Sequence, residues 1–90
     1  MDPDDLTPQE PGPVWVKYDP EADAAYIGLA SISPGEAVRQ VVVEGVQNAT
    51  DIVLDFNSSG QLLGVEVIGA RAALSDRLLA FGIQQGRSGV

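Results

Sequence analysis

Residues 51–70 read DIVLDFNSSGQLLGVEVIGA, and the other predicted elements are arranged around this segment. Apolar residues alternate with polar or small ones on both sides of the segment 57–60, which is typical of the two strands of a β-hairpin. Asn57 and Gly60 favour a tight reversal of the backbone, because Asn bonds to its own backbone and Gly accepts a positive φ. The stretch therefore predicts two antiparallel strands joined by a short turn.

The register of this hairpin follows from the position of its turn. If residues 57–60 form the turn, Leu54 pairs with Leu63, and directly opposed residues share one face of the sheet. That face is apolar along its whole length, whereas a slip of one residue would bury Asp55 and Glu66 in the core. The predicted apolar face consists of Ile52, Leu54, Phe56, Leu63, Val65 and Val67.

Three further strand signals precede the hairpin. Residues 14–18 (VWVKY) alternate along the chain as a strand does, and residues 24–30 return after a turn that begins with Asp19 and Pro20. Residues 37–43 are rich in valine, whose β-branched side chain favours an extended backbone. Together with the hairpin, these segments predict five strands.

After Gly69 the spacing of the apolar residues changes. Leu74, Leu78 and Phe81 stand at i, i+4 and i+7, which is the spacing of a helix that lays one side on a sheet. Gly82 is suited to end this helix, because glycine accepts the left-handed conformation that is common after the last turn. The sequence therefore predicts one helix over residues 70–81.

The predicted fold class is α+β, a five-stranded antiparallel β-meander with one C-terminal helix packed on one face. Residues 14–83 are expected to form this single domain, between a flexible, acidic, proline-rich arm (residues 1–13) and a flexible tail (residues 84–90). The predicted helix-facing core consists of Ile52, Leu54, Phe56, Leu63, Val65, Val67, Leu74, Leu78 and Phe81.

The second face of the predicted sheet is rich in apolar residues. A sheet covered by one helix should carry more charge on its bare side. Burial against a second copy of the chain is the economical explanation, and scattered surface hydrophobes beside a returning N-terminal arm are the alternative. The residues predicted to form this interface are Trp15, Tyr26, Val53, Leu62 and Ile68.

The composition excludes several classes of function. The chain has no cysteine and no histidine, which excludes disulfides, thiolate metal sites, cysteine nucleophiles and histidine bases. Its 13 acidic and 5 basic residues give a net charge of −8, which opposes binding to nucleic acid. No apolar run approaches about 18 residues, and the acidic N-terminus is unlike a signal peptide. We therefore expect a cytoplasmic protein that binds neither membranes nor nucleic acid.

One motif in the hairpin matches a calcium-binding loop. Positions 1, 3, 5, 6 and 12 of an EF-hand loop correspond to Asp55, Asn57, Ser59, Gly60 and Glu66. The flanking sequences favour strands instead of helices, and the predicted register separates Asp55 from Glu66 by roughly 13 Å. We therefore expect a plain hairpin turn without a bound metal or other cofactor, and Asp55, Asn57 and Glu66 remain the weak metal candidates.

Carboxylates alone offer little catalysis to a chain of this size. A pair of carboxylates performs acid and base chemistry in glycosidases, but such enzymes need a deep cleft, which 90 residues without long loops do not build. We therefore expect no enzymatic activity. The alternative to an interaction module is a small-ligand or divalent-cation site that uses Asp19, Asp23, Asp55 and Glu66.

Two short motifs resemble those of a known family. They are YDPEADAAYI at residues 18–27 and the pattern D-x-N-x-x-G-x-x-x-GVEV at residues 55–67. Both are similar to the small prokaryotic family catalogued as domain of unknown function 2283 (DUF2283), and the resemblance covers about residues 14–72.

The resemblance implies a type of role without an activity. Members of that family are similar in being short, stand-alone proteins with no assigned catalytic residues, and some look like the antitoxin half of toxin–antitoxin modules. For this chain it implies an acidic module that covers a basic partner such as a toxin, which the net charge of −8 matches. The sequence as a whole predicts a non-enzymatic protein-interaction module that forms a homodimer.

Overall fold

The computed structural model describes residues 14–88 of the chain. The predicted arm, residues 1–13, lies outside the described residues, and so do residues 89 and 90 of the predicted tail. The elements are β1 (Trp15–Asp19), β2 (Ala24–Gly28), β3 (Arg39–Val43), β4 (Asp51–Phe56), β5 (Leu62–Ile68), α1 (Ala70–Ala73) and α2 (Asp76–Ser88).

The five strands form one antiparallel sheet in the order β1-β2-β5-β4-β3. The predicted α+β class, with five antiparallel strands and a C-terminal helix, is confirmed. Strands β3, β4 and β5 follow one another as in a meander, and the segment 29–38 carries the chain from β2 to the far edge of the sheet. As a result β5 lies at the centre, between β2 and β4.

The predicted register of the β4–β5 hairpin is wrong by two residues. Leu54 lies opposite Val65 instead of Leu63. A shift of two residues keeps paired side chains on their predicted face, because neighbouring side chains of a strand alternate between faces. The apolar face of the hairpin is therefore retained, although the pairs across it differ.

The turn of this hairpin explains the shift. The Oδ1 atom of Asn57 accepts hydrogen bonds from the backbone N–H groups of Ser59 at 3.0 Å and Gln61 at 2.9 Å. The N–H of Asn57 in turn donates to the carbonyl of Gln61 at 3.0 Å, so the turn closes one residue tighter than predicted. A β-bulge beside Phe56 adds the second residue of the shift.

The predicted helix over residues 70–81 is divided into two helices. Leu74 has an extended backbone, with φ −116° and ψ 155°, and ends α1 after one turn. Ser75 then caps α2, because its Oγ accepts a hydrogen bond from the backbone N–H of Leu78 at 3.2 Å. The break changes which side of the following helix faces the sheet.

Gly82 lies inside α2 and does not end it. A Cβ on this residue would lie 3.0 Å from Cγ1 of Val16 and 3.1 Å from Cβ of Tyr18, so glycine allows the helix to approach β1 closely. The helix continues to Ser88, and residues 84–88 of the predicted tail are therefore helical.

Helix α2 packs mainly against β1, at one side of the sheet. After the break at Ser75 it is Leu79 that is buried, whereas Phe81 is 45 % exposed. The prediction that Phe81 belongs to the core is therefore wrong. The buried cluster consists of Ala25, Val67, Ala70 and Leu79, with Tyr18, Ala49, Val65, Ala73 and Leu74 packed against it.

The other predicted core residues are buried to different degrees. Leu63 is buried, and four more are half-buried, namely Ile52, Leu54, Phe56 and Leu78. Ile52 shares the helix side of the sheet, because it lies opposite Val67. Since α2 lies over β1, the half of this face formed by β3 and β4 is without an extensive helical cover among the described residues.

Candidate functional site

The face of the sheet opposite α2 carries two stacked aromatic rings. The ring centroids of Trp15 and Tyr26 are 5.3 Å apart, and the ring planes differ by 25°. Trp15 lies over Gly28 and Tyr26 lies over Gly64, where a Cβ would overlap the ring above it. The indole Nε1 of Trp15 also donates a hydrogen bond to the carbonyl of Ala30 at 2.9 Å. The two glycines therefore allow both rings to lie flat on the sheet.

A buried carboxylate, Asp55, lies next to these rings with 6 % of its surface exposed. The hydroxyl of Tyr26 donates to its Oδ2 at 2.8 Å, and Nε2 of Gln40 donates to its Oδ1 at 3.0 Å. Burial of a carboxylate is costly unless it is hydrogen-bonded, and both oxygens of Asp55 have a donor. These three side chains, termed the polar cluster below, connect β2, β4 and β3 across the face.

The surroundings of Tyr26 raise its pKa above the ordinary value of 10.0. Burial is the largest cause, followed by the hydrogen bond to Asp55 and by the negative charges of Asp55 and Glu66. Tyr26 is therefore protonated at neutral pH, where it donates a hydrogen bond and is unsuited to act as a base or nucleophile. This geometry suits a cluster that holds strands together.

The raised pKa of Tyr26 predicts a loss of stability in alkali. The pKa of Tyr26 in the folded chain lies above the unfolded value of 10.0. Protonated Tyr26 therefore contributes its full stabilisation of the fold below pH 10.0, and this stabilisation is lost as the pH rises further. Urea unfolding over a pH series should show the free energy of unfolding falling at alkaline pH, and Tyr26→Phe should make the fall shallower. An equally steep fall in the variant would contradict this role.

A shallow pocket of about 440 Å³ lies beside the polar cluster. Lys17, Tyr26 and Glu66 stand in one row across β1, β2 and β5 and line this pocket. The Nζ of Lys17 lies 5.9 Å from the centroid of the Trp15 ring, a distance at which an aromatic ring attracts a cation. The pocket lining thus combines two tyrosines with one basic and two acidic side chains, because Tyr18 and Asp19 also line it.

Asp19 and Asp23, predicted as ligand candidates, accept hydrogen bonds within the fold. Oδ1 of Asp19 accepts from the backbone N–H of Glu21 at 3.0 Å, which fixes the β1–β2 turn. Oδ1 of Asp23 accepts from the hydroxyl of Tyr18 at 3.2 Å and from the N–H of Arg71 at 2.8 Å. The carbonyl of Asp23 also accepts two N–H groups at the start of α1, so this residue joins the turn to the helix.

The three metal candidates are also engaged in the fold. Asp55 belongs to the polar cluster, and Oδ1 of Asn57 accepts two backbone N–H groups in the turn. Asp55 lies opposite Gly64, two residues from Glu66, so the predicted separation of the two acids was too large and is roughly 7 Å along the strand. Within residues 14–88, no three acidic side chains are grouped to hold a metal ion.

The residues predicted to form an interface lie in different settings. Trp15, Tyr26, Val53 and Ile68 are half-buried and share the face opposite α2. Leu62, beside the bulge, is 39 % exposed. Because Trp15 and Tyr26 already pack on each other and on the sheet, they are the least available to a partner. The interface role of the set stays a prediction.

A different apolar surface lies along β3 and its flanks. Val38, Val42 and Val46 are 61 %, 54 % and 38 % exposed. No strand of the described chain pairs with the outer side of β3. Natural edge strands are usually protected by lysine, proline or a bulge, and the sequence RQVVV of β3 has neither lysine nor proline. Residues 38–46, termed the valine edge below, are therefore β3 with its flanks, an edge without lysine or proline that carries Arg39 and Glu44 near its ends.

Comparison with known families identifies the sheet as the shared part. The family model of DUF2283, described as a protein of unknown function, matches residues 15–71, from the start of β1 into α1. This chain belongs to the DUF2283 family. Comparisons with curated proteins and with solved structures gave no significant match. The DUF2283 match includes all five strands and leaves α2 outside, and the predicted family resemblance is confirmed.

The two DUF2283 motifs have a structural explanation in this chain. In the first, Asp23 joins the β1–β2 turn to α1, and Tyr26 donates to Asp55 of the second. In the second, Asn57 closes the hairpin turn, and Gly64 lies under the Tyr26 ring. The contact between Tyr26 and Asp55 therefore links the two DUF2283 motifs across the sheet.

Sequence reasoning missed two residues of this face of the sheet, Gln40 and Gly28. Gln40 is a polar residue at the start of a valine run, which is a signal for a specific partner, but the partner depends on which strands are neighbours.

Among residues 14–88, no helix is long and apolar enough to span a membrane. The predicted cytoplasmic location stays a prediction.

Proposed function

We propose that this chain is a non-enzymatic protein-interaction module that forms a homodimer. The observation that carries the proposal is the valine edge, where exposed valines lie on and beside β3, a strand whose outer side pairs with no strand of the described chain. Association there would remove apolar surface from water and give the free backbone groups of the strand hydrogen-bond partners. In a sheet of five strands, this edge is the most suitable surface for a protein partner.

The polar cluster supports a structural role over a catalytic one. Its tyrosine is protonated at neutral pH, and its carboxylate is already held by two donors. The chain also has neither histidine nor cysteine to act as a base or nucleophile. The pocket beside Lys17 and Glu66 is shallow, whereas ligand sites usually enclose most of their ligand.

Light scattering after size-exclusion chromatography tests the homodimer. The wild-type chain at tens of micromolar should have a mass near twice 9.4 kDa. Val42→Lys should lower the mass to that of one chain, because a lysine in the middle of an edge strand opposes pairing. Val14→Lys is the matched control, since Val14 and Val42 are both 54 % exposed, and it should remain dimeric. A monomeric wild-type chain would refute the proposal.

A basic protein is the second candidate partner, and the net charge of −8 is the observation that favours it. Attraction between opposite net charges brings such partners together and weakens as salt screens it. Self-association through valines does not depend on that attraction. The affinity for a basic protein should therefore fall as the sodium chloride concentration rises. The mass of the homodimer should stay the same over that range.

A further inference from the structure

We infer that two copies of the chain pair edge to edge through β3, antiparallel and about a two-fold axis at Val42. This inference rests on the proposed homodimer and adds the direction and the register of the strand pairing. It joins two five-stranded sheets into one continuous sheet in which β3 of each copy becomes an inner strand.

The exposed middle of β3 sets the register. Val42 is 54 % exposed and lies opposite Val53 on the face of the polar cluster. β3 ends at Val43, and Gly45, with φ 78°, interrupts the extended backbone before Val46. In an antiparallel pair centred on Val42, this residue therefore meets itself, and Val41 meets Val43 of the second copy.

The charges along the valine edge fit the same arrangement. Within residues 38–46 the charged side chains are Arg39 at one end and Glu44 at the other. An antiparallel pair brings the basic end of one strand to the acidic end of the other, and it places Gln40 opposite Glu44 of the second copy. A parallel pair would place equal charges side by side. The local pattern therefore favours antiparallel pairing, although each chain has a net charge of −8.

The opposite edge of the sheet, β1, is less suited to this contact. Helix α2 packs on β1, and Lys17 lies in the middle of that strand. A lysine at this position is a common protection against edge-to-edge pairing. Both β1 and β3 are edge strands of the described sheet, and β3 is the one without a lysine.

Single cysteines test the register, because the natural chain contains none. Directly opposed residues of antiparallel strands have Cα atoms about 4.5–5.5 Å apart, within the range of about 4.4–6.8 Å that a disulfide accepts. Val42→Cys should therefore form a disulfide-linked dimer under mild oxidation about 10- to 100-fold faster than Val14→Cys, because its partner is held nearby. Val14 is the matched control, since both residues are 54 % exposed.

A mixing experiment tests the rest of the register. Val41→Cys and Val43→Cys, carrying tags of different mass, should each cross-link slowly alone. Mixed and allowed to exchange, they should yield mainly the heterodisulfide between residues 41 and 43. Circular dichroism of each variant checks that the sheet is intact, because both positions are half-buried.

The outcomes separate this inference from the proposed homodimer. If light scattering shows a dimer but Val42→Cys cross-links no faster than Val14→Cys, the β3 pairing is overturned and the homodimer is retained. If the chain is a monomer, both are overturned. A dimer in which Val42→Cys cross-links rapidly and the mixed pair forms its heterodisulfide supports both.

Discussion

Gly64→Ala should lower the free energy of unfolding by about 2–3 kcal/mol, as overpacking of a tight contact does. The direction is informative, because Gly-to-Ala replacements at ordinary backbone angles usually stabilise a protein by about 0.4–1 kcal/mol. Here the new Cβ would overlap the Tyr26 ring, which stacks on Trp15 and bonds to Asp55 and so cannot move freely. Urea unfolding followed by circular dichroism measures the change.

The control for this prediction is Gly64→Ala in a chain that lacks the Tyr26 ring. In a Tyr26→Ala background, Gly64→Ala should be neutral or stabilising, because the three atoms nearest to the new Cβ all belong to the Tyr26 side chain and are then removed. A double-mutant cycle gives the coupling between the two positions directly. An equal loss in both backgrounds would show that the cost arises elsewhere than in contact with Tyr26.

Asp55→Ala should lower the free energy of unfolding by about 2–3 kcal/mol, the cost expected when a half-buried donor loses its acceptor. Most of the loss should come from Tyr26, whose hydroxyl is directed at Oδ2, because Gln40 is exposed and can bond to water instead. Chemical unfolding at neutral pH measures the effect.

Asp55→Asn is the matched control, because the amide keeps the shape of the side chain and one oxygen acceptor. It should lose less stability than Asp55→Ala.

Calcium at millimolar concentration should leave the unfolding midpoint of the wild-type chain unchanged. A midpoint raised by calcium in the wild type and unaffected by it in Asp55→Ala would assign Asp55 to a metal site instead of a structural cluster.

The strands and the fold class could be predicted because they depend on local patterns. Alternation in residues 14–18 and on both sides of the segment 57–60 indicates extended backbone whatever its neighbours are. The face of each hairpin residue was also predictable. From Asp51 to Asp55 the register is shifted by two residues, which returns paired side chains to the same face, so the prediction tolerated the error there; at the bulge, Phe56 is shifted by one.

The remaining features depend on contacts that a local pattern does not contain. The break at Leu74 arises from the hydroxyl of Ser75, and it overrides the regular spacing that favours Phe81 as a core residue. The partners of Asp55 come from strands that are distant in the sequence, so Tyr26 and Gln40 become its neighbours only once the strand order is known. The polar cluster is for this reason a property of the topology.

The central position of β5 determines which strand pairs can form first while the chain is synthesised on the ribosome. Synthesis runs from the N-terminus, so the β1–β2 pair and then the β3–β4 pair emerge before the strand that must lie between them. Until residues 62–68 are available, β2 and β4 each have an unpaired inner side, and the two strand pairs are joined only through the segment 29–38. The two pairs become one sheet only when β5 pairs with both β2 and β4.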